Sequence, residues 1–296
     1  MAACSETFLE HLRRGRRYAN HTLVSYRNDL QQFEAFLRDR YGLTGGSQAD
    51  SMMVRSWFAE LRQQGIAKSS FNRKRSALRS FYKYLVTSDE LTVNPMDKVA
   101  AQKKDRALPV FVEEHSLGRL MDPSMYDDSF PGRRDQLLIE LLYTTGIRLS
   151  ELMNLRHRDL DIAAKQLRIT GKGNKERILP LLDGVIHIYQ AYCDEKAKRF
   201  PIEHDHWLVV TDRGKQVYPM LVNRRVRHYL GKITTRTKKS PHVMRHSFAT
   251  HMLDGGADLN AIKELLGHAN LSATQVYTHT TIEKIKHVYK QAHPKA

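Results

Sequence analysis

Cysteine is nearly missing from this sequence: Cys4 and Cys193 are the two present, far apart, too few and too isolated for a disulfide framework. That scarcity points to a reducing compartment, and a cytoplasmic protein is expected. Neither thiol sits in an activating pattern, and Cys193, within "IYQAYCDEK", reads as a packed helix residue. No apolar run approaches the ~20 residues that a membrane-spanning helix needs, so membrane insertion is not expected. The opening stretch "MAACSETFLEHLRRGRRY" is amphipathic and lacks the long apolar run of a secretory signal. Internal repeats and low-complexity tracts are absent too. Acidic residues are in deficit, 32 against 48 lysines and arginines, which leaves a net charge of +16 over 296 residues. Such an excess of cations predicts a polyanionic partner, and on charge alone RNA, DNA, the ribosome and an anionic membrane all remain open.

What is present is first of all helical periodicity. In "HTLVSYRNDLQQFEAFLRDRYG", Leu23, Tyr26, Leu30, Phe33 and Leu37 recur at three- and four-residue steps, with Thr22 as N-cap and Gly42 as stop. A second helix is expected after Asp50, burying Val54, Trp57, Phe58 and Leu61 before Gly65. A third, "SSFNRKRSALRSFYKYLV", turns Leu78, Phe81, Tyr82 and Leu85 inward and opens with Arg73, Lys74 and Arg75. Those three form either a solvated basic face or a phosphate-contacting one; the net charge favours the second. Pro95 and Pro109 bracket a basic stretch with Lys103, Lys104 and Arg106, read as an extended interdomain linker over residues 97–110 that runs close to the polyanion. The chain thus divides into a helical domain over 1–96, the linker, and a longer mixed domain over 111–296.

In that second domain "RRDQLLIELLYTTG" is apolar nearly all round and predicts a buried helix ending at Gly146. "KQLRITGKGNKERILPL" reads as strand, glycine-containing turn and strand, "DGVIHIYQAYCDEKAKRF" as helix, "HWLVVT" as a short strand and "VNRRVRHYLGKI" as a basic helix. "SPHVMRHSFATHMLDGG" carries Ser240 as N-cap, Pro241 at the first helical position and Gly255 past the end. "DLNAIKELLG" repeats the plan with Asp258 and Gly267. The fold class expected is mainly α with one small β-sheet.

Several polar residues stand where packing alone does not call for them. His242 and His246 have the i, i+4 spacing of paired zinc ligands, but Val243 occupies the position where a metalloprotease carries its glutamate base, and no acidic or cysteine cluster completes a site. No metal is therefore expected. His242 and Arg245, at i and i+3, can instead face one anion together, and the planar guanidinium suits a phosphate's non-bridging oxygens. Arg148 follows a glycine turn that ends a buried helix. Lys172 and Lys175 lie in the hairpin turn, where surface lysines are common in any case. His268 follows Gly267, and Tyr277 closes "LGHANLSATQVYTH".

Arg, Lys, His-x-x-Arg, His and Tyr in that order are the parts needed to break a phosphodiester covalently. "TGIRLSEL", "GKGNKERILPL", "HVMRHSFATHML" and "ELLGHANLSATQVYTH" resemble, in order and type, the motifs of the tyrosine recombinases, the phage integrase family. Within it the motifs, the two-domain layout and the ending "AHPKA" resemble the bacterial Xer recombinases. The resemblance spans nearly the whole chain, specific in the catalytic motifs and architectural in the N-terminal part. It implies a two-domain clamp on double-stranded DNA, a helical SAM-like core-binding domain followed by the catalytic domain. It implies a set of Arg148, Lys172, His242, Arg245, His268 and Tyr277. Chromosome dimer resolution at a dif-like site follows for an Xer-type protein, as does a tetramer with copies of itself or with a related recombinase, and a DNA translocase is a further possible partner. A mobile-element integrase, a nicking and resealing enzyme of type IB topoisomerase kind and a DNA-binding protein without catalysis are the competing readings.

The chemistry follows from the residue types. Free tyrosine titrates near pH ~10 and is a poor nucleophile without a base or a positive field. Arg148 and Arg245 would clamp the non-bridging oxygens and His268 would add a hydrogen bond. His242 would accept or relay the proton of Tyr277. Lys172 resembles the family's general acid for the leaving 5′-oxygen, with Lys175 its less favoured neighbour. Glu151, three residues after Arg148, either orients the cluster or lies on a solvated helix surface. His246, His251 and His279 are read as structural. A 3′-phosphotyrosyl bond stores the energy of the broken linkage, so neither metal nor nucleotide cofactor is expected, and no "GxxxxGK[ST]" loop occurs. The terminal "TIEKIKHVYKQAHPKA", amphipathic through Ile282, Ile285 and Val288, reads on its own as a helix packed in cis; the resemblance implies docking on a neighbouring protomer.

Overall fold

The computed structural model describes every residue except 1–2, 16–17, 19, 98, 104–109, 172–175, 201–205, 268–287 and 296. The chain divides into two compact units, Met1–Ala107 and Leu108–Ala296. As expected, the fold is mostly helical with a small sheet. Among the described residues no helix is long and apolar enough to cross a membrane.

The first unit is built from α1 (Ala3–Arg14), α2 (Asn20–Tyr41), α3 (Ser51–Gln63) and α4 (Lys68–Thr87). Its core gathers Phe8, Phe33, Trp57, Phe71, Phe81 and Tyr82. Asp50 caps α3 by accepting from the amides of Met52 and Met53 at 2.7 and 2.8 Å, satisfying donors that the first turn leaves without a partner. Helix α2 begins at Asn20, upstream of the cap expected at Thr22. The apolar stripe starts only at Leu23, so its periodicity carries no mark of the polar turn before it. The stretch read as a linker is bound to this unit over its first part. Val99 is buried, Asn72 exchanges side-chain hydrogen bonds with the backbone of Gln102, and the Arg75 guanidinium donates to the Val99 carbonyl at 2.7 Å.

The second unit is organised around α6 (Phe130–Thr145), which is buried along nearly its full length. It is flanked by α8 (Asp183–Arg199), α9 (Pro219–Ile233) and α10 (Pro241–Asp254), with the shorter α5 (Glu114–Leu120), α7 (Leu149–Met153) and α11 (Leu259–Leu266). Ser240 caps α10 and Asp258 caps α11, as read from the sequence. Strands β1 (Leu160–Asp161), β2 (Gln166–Thr170) and β3 (Glu176–Pro180) form an antiparallel sheet in the order β1-β2-β3, with Ile169 opposite Arg177. "HWLVVT" is not a strand: it makes single bridges, Arg156 with Trp207 and Val210 with Gln216, while Leu208, Val209 and Val210 are buried in the core. The final turns, residues 288–292, pack in cis on this unit. Tyr289 is buried and donates to the Thr144 carbonyl at 2.6 Å. Ile282 and Ile285 lie outside the described residues.

Candidate active site

Two helix ends make the frame. Helix α6 stops at Gly146, which holds a left-handed φ of 59°, and a Cβ there would sit 2.4 Å from a Phe248 ring carbon. Only glycine fits both demands. Helix α11 stops at Gly267 in the same conformation, φ 65°. The last carbonyls of a helix have no partner within it and carry the negative end of its dipole, so they attract cations. Here three arginines take three successive carbonyls. Arg177 donates from Nε to Leu265 at 2.8 Å, Arg245 from Nη2 to Leu266 at 2.6 Å and Arg148 from Nη2 to Gly267 at 2.9 Å. Arg245 also gives its other terminal nitrogen to the Gly146 carbonyl at 2.6 Å, joining the two helix ends.

Glu151 completes the frame from the first turn of α7. Its Oε2 accepts from the Arg148 amide at 2.9 Å and from Arg177 Nη2 at 2.8 Å. Its Oε1 accepts from Arg148 Nη1 at 2.8 Å and Arg177 Nη1 at 3.0 Å. Burial alone would push this carboxyl up; the hydrogen bonds and charge of Arg177, with the donors of Arg148, overcome it and hold the group at about 2. Glu151 is thus buried and orients the cluster; it is not on a solvated surface. Arg245 is brought down to about 10 by burial and by the neighbouring Arg148, and stays a cation at neutral pH. Two fixed cations with donors to spare, one buried and one with its side chain 40% exposed, can grip an oxyanion that approaches from solvent.

Of the residues singled out in the sequence, Arg148 and Arg245 meet at the end of α11. His242 lies in the first turn of α10, exposed, one turn before Arg245. Lys172, Lys175, His268, Tyr277 and His279 lie outside the described residues. His246 is half-buried, and burial together with His242 lowers its pKa. His251 is a core residue whose Nδ1 meets the Tyr143 hydroxyl at 3.0 Å. Arg177 was missed by the sequence reading. Its signal was the strand alternation in "KERILP", which puts Arg177 on the same buried side as Leu179.

The residues expected to contact DNA from the first unit stand differently from one another. Lys74 is buried, because position 74 falls on the same helical stripe as Phe71, Leu78 and Phe81; its ammonium meets Asp29 at 2.9 Å, Gln32 and the face of Trp57. The solvated or phosphate-facing arrangement expected of the trio is therefore corrected for Lys74, whose charge is matched inside the fold. Arg73 pairs with the same Asp29 and remains 41% exposed. Arg75 is half-buried against Val99, Lys103 is exposed, and Lys104 lies outside the described residues. Among the described residues no three His, Cys, Asp or Glu side chains are grouped to hold a metal ion.

Comparison with known proteins agrees with this geometry. Residues 111–284 match the phage integrase family, and residues 6–88 match the phage integrase N-terminal SAM-like domain. A tyrosine recombinase XerC from Pelobacter propionicus is 39% identical over 290 residues, covering 98% of this chain and 94% of the relative. Another, from Azotobacter vinelandii, is 39% identical over 296 residues, covering 100% and 97%. Among solved structures, the XerH site-specific recombinase bound to a palindromic difH substrate in a post-cleavage complex shares the fold. The TM-score is 0.72 at 20% identity, over 97% of this chain and 84% of that one.

Proposed function

The chain belongs to the phage integrase family as a tyrosine site-specific recombinase, and we propose that it resolves chromosome dimers at a dif-like site through a 3′-phosphotyrosyl intermediate. The observation that carries the chemistry is the seating of Arg148 and Arg245 on consecutive carbonyls at the end of α11. Their remaining N–H groups are free to bind the non-bridging oxygens of a phosphodiester, where negative charge builds in the pentavalent transition state. Because the acceptors holding them are backbone carbonyls at helix ends and, for Arg148, the buried Glu151 carboxylate, little reorganisation accompanies the reaction.

In this reading Tyr277 attacks phosphorus in line and the 5′-oxygen leaves. His242 takes or relays the phenolic proton, Lys172 protonates the leaving oxygen, and His268 donates to a non-bridging oxygen. Attack by a 5′-hydroxyl of another strand then expels Tyr277 and reseals the DNA. Double-stranded DNA is the substrate, gripped by both domains as a clamp, with Arg73, Arg75, Lys103 and Lys104 as backbone contacts. The active assembly is a tetramer of this chain alone or with a related recombinase, working in the cytoplasm, with a DNA translocase as a candidate activator. Two relatives named tyrosine recombinase XerC, each 39% identical to this chain over almost their full length, support an Xer-type reading.

Sequencing the DNA that remains covalently attached to the protein in cells tests the proposed target. One chromosomal locus with inverted half-sites is expected. Recovery of mobile-element ends instead would make the protein an integrase and overturn the dif-like assignment.

A further inference from the structure

Arg177 lies on strand β3, next to its start, and its side chain is 5% exposed. It has no free face toward solvent from which to bind DNA, yet each of its nitrogens is used within the cluster. Nη1 and Nη2 meet the two oxygens of Glu151 in a fork-on-fork pair, and Nε holds Leu265. Such a bidentate pair fixes the plane of the carboxylate as well as its position. The plane matters because Oε1 also receives Arg148 Nη1 and Oε2 the Arg148 amide. Where the Glu151 plane points, the Arg148 guanidinium follows.

Resting on the reading of Arg148 as a phosphate ligand, we infer that Arg177 is a positioning residue for strand cleavage: it locks Glu151 and the end of α11 together and thereby aims Arg148. It touches no phosphate. Gly267 sits against it so closely that a Cβ there would come within 3.1 Å of Arg177 Nη1. The strand, the α7 turn and the end of α11 are in this way drawn to one side chain.

Two consequences separate aiming from mere bracing. Lysine at 177 keeps the charge and loses the fork, so a residue needed for its plane is not replaced by one that supplies a point charge. Without Arg177, the groups still facing Glu151 are Arg148 from its own turn and Arg245 from α10. Burial then acts against fewer opposing donors, and the carboxyl titrates at higher pH.

The full-length chain is compared with Arg177→Lys, Arg177→Met and the Arg177→Met/Glu151→Gln double variant, using a nicked duplex in single-turnover cleavage from pH 5 to 8, with melting temperature and DNA affinity alongside. Both single variants are expected to bind DNA within about threefold of wild type and to cleave about 100-fold more slowly, the scale of loss for a misplaced reacting group. The Met variant should gain an acid limb in its rate profile that the double variant lacks. Cleavage by Arg177→Lys at the wild-type rate, or a Met variant with a wild-type profile shape and a rate loss equal to its loss of folded protein, would overturn the inference alone. A wild-type chain that forms no adduct overturns the recombinase reading and this inference with it.

Discussion

Arg245 is 8% exposed and charged, a combination that persists only because two backbone carbonyls and the nearby Glu151 offset what burial takes away. A lysine there supplies a charge and cannot reach both helix ends in one plane. Arg245→Lys is expected to lower single-turnover cleavage 100- to 1,000-fold, about 3–4 kcal/mol of barrier, with the melting temperature measured in parallel to account for loss of the two seats. Glu151 makes a second prediction at this scale. Its folded value, about 2, lies below its ordinary value of 4.5, so the paired carboxylate stabilises the fold fully above pH ~4.5, and that contribution fades as pH falls toward ~2. The shift corresponds to something on the order of 3 kcal/mol. Urea unfolding at pH 7 and at pH 3 checks this: Glu151→Gln should be the less stable chain at pH 7, with the gap narrowing at pH 3.

Elements explain what the sequence displayed and what it concealed. Caps are local chemistry, so Asp50, Ser240 and Asp258 could be read directly, and the end of α6 at Gly146 likewise. Arg148 stood out as an arginine beside a glycine turn, whereas Arg245, in a His-x-x-Arg pair that is weak by itself, gained its weight from the other motifs around it. Arg177 was not, since one inward arginine in a five-residue strand looks like an edge position until its partners on α7 and α11 are known. Lys74 was misjudged for the converse reason: its match, Asp29, is 45 residues away on another helix. The turn at Gly146 yields a prediction about the element it ends. Gly146→Ala should destabilise the chain by about 2–4 kcal/mol, combining left-handed strain with the approach to Phe248. Gly65→Ala, at φ 67° with open space around it, should lose only the strain, about 1–2 kcal/mol. Thermal melts of the two variants side by side separate the terms.

On the scale of the whole molecule, the net charge of +16 and the family membership describe a protein that acts on DNA. The residues proposed to give it chemistry are distributed along the sequence from Arg148 to Tyr277. Among the described residues, the arginines of the proposed site meet where the ends of α6 and α11 approach the start of α7. Tyr277, the proposed nucleophile, is the part whose removal is cleanest to interpret. A duplex nicked so that the cleaved product diffuses away, incubated with the chain and resolved by denaturing electrophoresis, reads the central claim directly. A covalent protein–DNA adduct is expected for the wild type, formed without added metal or nucleotide, and none for Tyr277→Phe. An adduct that persists in Tyr277→Phe, or a wild type that forms none, would contradict it.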